Sequence, residues 1–140
     1  MDVVGTHKDL MVWKKSVSLA SRIYSLTQSI PQGRTAHDQH SLSVQMRRSA
    51  LSVASSIAEG AARGGRTEYI RFLSIARGSL SELETQIHIA LELQIIDRAS
   101  RIDEQAAEVG LLLGALHRRL REHRERAHAF EPARGSAPTH

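Results

Sequence analysis

The chain predicts an all-α fold, an up-down-up-down four-helix bundle, on three observations. Aromatic residues are 4% of the 140, and Pro31 is the one proline before residue 130, a composition that disfavours sheet and favours helix. Apolar residues recur at spacings of three and four through four long stretches, the period of an amphipathic helix. The links after the second and third stretches are only a few residues, which forces neighbouring helices to run antiparallel. No strand candidate competes.

The first helix is expected over about residues 7–29. Leu10, Trp13, Val17, Ala20 and Tyr24 form its apolar stripe, and Thr6 with Asp9 three residues on reads as a capping box. Pro31 and Gly33 then break the helix within a polar run that continues to about Ser41.

A second helix is expected over about 41–63, with Leu42, Met46, Ala50, Val53 and Ile57 inward. It fades through Gly60 into Gly64-Gly65. The third, about 67–95, repeats Leu73, Ala76, Leu80, Leu83, Ile87 and Ala90. The fourth, about 100–128, opens at Ser100 with Asp103 and carries Ile102, Ala106, Val109, Leu113, Leu116 and Leu120. Together they make one domain over 1–128, followed by a tail, 129–140, whose "FEPARGSAPTH" composition predicts disorder.

"SALSVASSIAEGAARGG", Ser49 to Gly65, is nearly all small residues. Such a helix is thin and lets its neighbours come close, while bulky side chains opposite supply the hydrophobic energy. Gly110 and Gly114 point the same way, since glycine in a helix costs about 1 kcal/mol relative to Ala. Glu59, near the unfavourable end of the helix dipole, calls for a cationic partner, as a structural ion pair.

Apolar residues remain outside these stripes. Phe72, Ile75, Ile89, Leu93 and Ile96 lie beside the third helix's main stripe, and Leu111 and Leu112 beside the fourth's. A monomeric bundle uses one face per helix, so a second face predicts a subunit contact. For Phe72 and Ile75 a wide core-facing stripe explains the pattern as well.

Charge is uneven along the chain. Residues 1–77 carry eleven Lys/Arg against five Asp/Glu, residues 78–108 two against seven, and residues 109–140 six against three. Arginine outnumbers lysine sixteen to three, which suits bidentate contact with phosphates. Arg47, Arg48, Arg63, Arg66 and Arg71 gather at or beyond the ends of helices two and three. Arg118, Arg119, Arg121, Arg124 and Arg126 crowd the last. These ten are the candidate nucleic-acid contacts, although the Arg118–Arg126 run, mixed with Glu122 and Glu125, reads as well as i,i+4 pairs on a solvated face. No exposed aromatic ladder accompanies them, so backbone charge and shape would lead the binding. Glu82 and Glu84 in the acidic middle are expected to pair with arginines across subunits.

Enzyme and metal readings find little support. The chain has no cysteine. "HDQH" puts His37 and His40 three apart in an expected loop, and His117, His123 and His128 lack zinc-ligand spacing. "GAARGG" lacks the Lys-Ser/Thr of a phosphate loop. No catalytic residue, metal or cofactor is assigned. The opening "MDVVGTHKDLMVWKK" has no apolar leader and no run reaches membrane-spanning length, so a soluble cytoplasmic protein is expected.

Three linked motifs resemble a known family: "LMVW", "QMRRSA" followed by "IAEG", and "GSLSELETQ". They resemble the four helix bundle protein family of 23S rRNA intervening sequences, over about residues 8–120. That family is similar to the accessory protein of diversity-generating retroelements, a basic pentameric barrel that binds nucleic acid and its reverse transcriptase. The resemblance implies a bacterial, ring-like homopentamer with a non-enzymatic, RNA-binding role. The alternative is a protein-interaction scaffold, for example an accessory subunit of a reverse transcriptase, to which the acidic residues Glu82, Glu84, Glu92, Asp97, Asp103, Glu104 and Glu108 lend support. Two departures stand out: Ala54 lies where the family carries Pro nearby, and Ser56 stands where it carries Asn.

Overall fold

A computed structural model describes residues 7–28 and 36–130, with side-chain surroundings for 9–28 and 40–129. Four helices account for almost all of it: α1 His7–Thr27, α2 Ala36–Ala62, α3 Arg66–Glu92 and α4 Ile102–Phe130, with a 3₁₀ turn at Arg98–Ser100. No strand occurs among the described residues. Thr6 and the 131–140 segment lie outside them.

The helices alternate in direction. Ser52 Oγ meets Ser79 Oγ at 2.7 Å, which sets α2 against α3, and Ser74 Oγ meets His117 at 2.9 Å, which sets α3 against α4. Arg22 reaches the Ser100 carbonyl at 2.9 Å and Arg119 reaches Asp9 at 2.9 Å, which closes α4 onto α1. Each helix thus packs on its two neighbours in the order α1–α2–α3–α4–α1, and α1 lies diagonally across from α3.

The core follows the expected stripes in three helices. Met46, Ala50, Val53 and Ile57 of α2 are buried; so are Leu73, Ala76, Leu80, Leu83, Ile87 and Ala90 of α3, and Ile102, Ala106, Val109, Leu113 and Leu116 of α4. Helix α1 departs from expectation. Leu10, Trp13 and Val17 are exposed, and the buried face is Asp9, Val12, Ser16, Leu19, Ala20, Ile23 and Thr27. Three polar residues interrupt that face, so the uninterrupted apolar stripe beside it dominates the sequence pattern. Two of them satisfy themselves on the previous turn: Ser16 Oγ donates to the Val12 carbonyl at 2.8 Å and Thr27 Oγ1 to Ile23 at 2.7 Å.

Helix α2 starts at Ala36, so "HDQH" lies in its first turns and the expected loop there is corrected. Helix α3 ends at Glu92, short of residue 95. Gln94 adopts φ 56°, its N–H bonds the Leu91 carbonyl at 3.1 Å, and the Ile95 N–H reaches back to Ala90 at 2.9 Å. This pair of bonds is a Schellman stop, and it turns Ile95 and Ile96 in against the core. Helix α4 begins two residues after the expected Ser100, whose hydroxyl accepts from the Ile102 N–H at 3.4 Å. Arg101 makes the intervening left-handed step at φ 56°.

Small residues do bring α2 and α3 together. A Cβ at Gly60 would lie 2.6 Å from the Phe72 Cβ, so only glycine fits there without moving a helix.

Candidate nucleic-acid interface

Alternating helix directions sort the charge by end. The start of α3 and the close of α2 and α4 share one end of the bundle, which gathers Arg63, Arg66, Arg71, Arg118, Arg121, Arg124 and Arg126. Glu92, Asp97, Asp103 and Glu104 gather at the other, among Arg22, Arg98 and Arg101. Asp103 and Glu104 lie in the first turn of α4, favourably placed for its dipole. His117 lies beside Ser74 in the antiparallel register, so residue 125 is level with Arg66 and the last turn of α4 projects past the start of α3. At 1.5 Å per residue that overhang is about 7 Å.

The ten candidate arginines divide by what they touch. Arg63 pairs with Glu59 at 3.0 Å and Arg71 with Glu68 at 3.0 Å, both solvent-exposed. The Arg71 hydrogen bond holds the Glu68 carboxyl below its usual range. Arg63 and Arg71 also flank the Phe72 ring, their guanidinium carbons 5.2 and 4.6 Å from its centroid. Arg47 bonds Thr27 Oγ1 at 2.8 Å and stacks 4.7 Å over Tyr24, which fixes α2 against α1. Arg119 is taken by the buried Asp9. Arg66 is half-buried and already engaged. Arg48, Arg118, Arg121, Arg124 and Arg126 form no ion pair among the described residues, and Arg124 alone of these is half-buried.

Glu82 and Glu84 are likewise exposed and without an ion-pair partner among the described residues. The expected apolar surface needs correcting. Phe72 is 7% and Ile96 3% exposed, because the Gly60 contact draws Phe72 in and the stop after α3 turns Ile96 inward. Ile75, Ile89 and Leu93 stay outside, Leu93 at 63%, and Leu111 on α4 reaches 77%. Leu10, Trp13 and Val17 make a second exposed apolar stripe on α1 that the sequence reading placed in the core. Leu10 and Trp13 border a cavity of about 220 Å³ floored by Ile57, Ala58 and Ala61 of α2.

Two residues outside the sequence-derived set meet midway along the α3–α4 seam. Buried His117 accepts from the Arg77 guanidinium at Nδ1, 3.2 Å away, and its Nε2 lies 2.9 Å from Ser74 Oγ. Since Nδ1 accepts, Nε2 carries the proton and donates to Ser74, whose own hydroxyl proton goes to the Ile70 carbonyl at 3.1 Å. Burial, then Arg77, Arg121 and Arg124, push the imidazole pKa down. His117, Arg121 and Arg124 stand at i, i+4 and i+7, so their shared face was legible. Arg77 joins them only through the register of α3 on α4.

Among the described residues no cluster of His, Asp or Glu is arranged to hold a metal, and no helix is long and apolar enough to cross a membrane.

Four antiparallel helices with an arginine-bearing end define an all-α protein with a polarised surface. The chain belongs to the 23S rRNA-intervening sequence protein family, whose model matches residues 8–115. It is similar to a solved protein of unknown function from the S23 ribosomal protein family of Bacteroides thetaiotaomicron. The two share 26% identity with a TM-score of 0.69, over 79% of this chain and 98% of that one. No curated protein matches this sequence.

Proposed function

We propose that this protein is a non-enzymatic, oligomeric RNA-binding protein that engages the phosphate backbone through its arginine end. The observation that carries the reading is the run of Arg118, Arg121, Arg124 and Arg126 on α4, none of them neutralised by a carboxylate among the described residues. Arginines left unpaired offer their guanidinium forks to phosphate oxygens without first breaking an internal bond. The family's link to 23S rRNA intervening sequences supports RNA as the polyanion.

Assembly as a ring, with five subunits by the family resemblance, is supported by the placement of the two exposed apolar stripes. One lies on α1 and the other on α3 and α4, and α1 is diagonal to α3. Unlike faces on different sides favour head-to-tail contacts, which form a ring when their rotation closes, over a two-fold dimer. In such a contact the unpaired Glu82 and Glu84 would meet the α1 side, where Lys14 directly follows Trp13 in sequence.

Fluorescence anisotropy with a labelled structured RNA tests the reading. Binding should weaken steeply with salt, and no binding at low salt to RNA or DNA removes it. The acidic stretch 78–108, with exposed Glu82 and Glu84, favours a second reading, a scaffold for a basic protein such as a polymerase, which would then take its place.

A further inference from the structure

Two exposed apolar features sit on different seams of the bundle. Leu10 and Trp13 of α1 wall a cavity of about 220 Å³ floored by Ile57, Ala58 and Ala61 of α2, so it lies in the α1–α2 seam. Leu111, 77% exposed, borders a groove between α3 and α4 with Leu80, Ala107 and Gly110. With the helices packed in the order α1–α2–α3–α4–α1, these two seams are on opposite sides of the molecule. One copy can therefore turn its α3–α4 groove to the α1–α2 cavity of the next without either face meeting itself.

Contacts between the helices fix the heights. Arg119 meets Asp9 and Lys15 meets Glu108, so Trp13, between Asp9 and Lys15, is level with about residue 112 of α4. At 1.5 Å per residue, Leu111 stands within about 2 Å of the height of Trp13. Ile89 and Leu93 do not. Ser74 meets His117, which sets them level with about residues 102 and 98, near the height of Arg22, which bonds the Ser100 carbonyl. Ile75 is nearer the right height, but it shares the α2-facing side of α3 with Phe72 and Ser79, three residues before it and four after.

Rotation about an axis parallel to the helices carries each residue to the same height in the next copy. Of the exposed large apolar residues on α3 and α4, among the described residues, Leu111 alone then arrives at the cavity. Charge agrees. Glu84 lines the same groove, its Oε1 against Gly110, and forms no ion pair among the described residues. By the same register it is level with about residue 107, close to the Glu108 that meets Lys15, so the exposed Lys14 of a facing copy is about one residue away in height. Arg77, also in the groove, is tied back to His117.

We propose that a second copy of this chain is the occupant of the cavity: one copy seats Leu111 between Leu10 and Trp13 of the next and sets Glu84 against its Lys14. The contact rests on the head-to-tail assembly above and adds the side chain, the socket and the register. All copies then run parallel, and their arginine ends share one rim.

The chain has no cysteine, so introduced pairs report the contact in the full chain. Ala58→Cys puts a thiol on the exposed floor of the cavity, Leu111→Cys one on the inserted residue, and Leu93→Cys one at the wrong height. After brief treatment with a short bis-maleimide, A58C/L111C should give at least about fivefold more linked chains on a denaturing gel than A58C/L93C, and L111C alone no linked dimer. By light scattering, E84K should weaken assembly at least about threefold, and K14E/E84K should recover most of the loss. Circular dichroism confirms each fold, and the charge pair decides if the cysteine variants fail to assemble.

Assembled protein in which A58C/L111C links no better than A58C/L93C overturns the contact and leaves the oligomer reading standing. Linked dimers from L111C alone show a two-fold pairing and overturn the contact together with the head-to-tail reading. A mass of one chain at all usable concentrations removes the assembly, and the contact with it.

Discussion

Arg119 reaches from α4 to Asp9 on α1 at 2.9 Å, and it does so over a carboxylate that is only 6% exposed. The pair is asymmetric, since the arginine side chain keeps 46% of its surface in solvent. Removing the arginine takes the ion pair across the α1–α4 seam from a buried carboxylate, whereas removing both partners also removes the carboxylate that needs it.

Arg119→Ala is therefore expected to destabilise the bundle by about 1–3 kcal/mol, and Asp9→Ala/Arg119→Ala by less than the sum of the single changes. Urea denaturation of the three variants measures both quantities. Strict additivity would show that the two residues do not interact in solution.

His117 makes stability fall with acid. Its folded pKa lies below the ordinary 6.5 because of burial first and the neighbouring arginines second. The unfolded chain binds a proton near pH 6.5 and the folded one only at lower pH, so each step below 6.5 favours unfolding until the folded pKa is passed. The loss approaches about 1.4 kcal/mol per pH unit in that window. Urea midpoints measured from about pH 7.5 to about pH 5 should fall in the wild type, and the fall should be shallower in His117→Gln.

Two glycine substitutions should act in opposite directions. Gly60→Ala forces a Cβ to within 2.6 Å of the Phe72 Cβ, which is held by backbone, so α2 and α3 must separate at a cost of about 1–3 kcal/mol. Gly78, mid-helix in α3, has nothing within 4 Å of its would-be Cβ. Gly78→Ala should stabilise by about 0.5–1 kcal/mol through helix propensity. Thermal melts of the two variants decide it.

Light scattering tests the apolar stripes. The wild type should exceed the 15.5 kDa of one chain. Trp13→Glu and Leu111→Glu should each reduce the mass towards that value, because a head-to-tail contact needs both faces. A wild-type mass of one chain at all usable concentrations removes the assembly.

Helices α3 and α4 were legible because their inward positions are apolar without a break, from Leu73 to Ala90 and from Ile102 to Leu116. Helix α1 was not. Asp9, Ser16 and Thr27 sit inward with their polar atoms satisfied, and periodicity alone then selects Leu10, Trp13 and Val17. Phe72 and Ile96 looked like spare surface because nothing local reveals that Gly60 admits the one and the turn at Gln94 redirects the other. The arginine runs were visible as composition, but pairing divides them. Arg63 and Arg71 face Glu59 and Glu68 at short sequence separations that could be read, whereas the meeting of Arg77 with His117 depends on how two helices slide past each other.

The sorting of charge by end has a consequence for how copies meet in dilute buffer. Among the described residues the arginine end sets Arg63, Arg66, Arg71, Arg118, Arg119, Arg121, Arg124 and Arg126 against Asp9, Glu59, Glu68, Glu122 and Glu125, while the other end nearly balances Arg22, Arg98 and Arg101 against Glu92, Asp97, Asp103 and Glu104. Two copies therefore repel when their arginine ends meet, and that repulsion fades as salt shortens the Debye length from about 30 Å at about 10 mM to about 10 Å at about 100 mM.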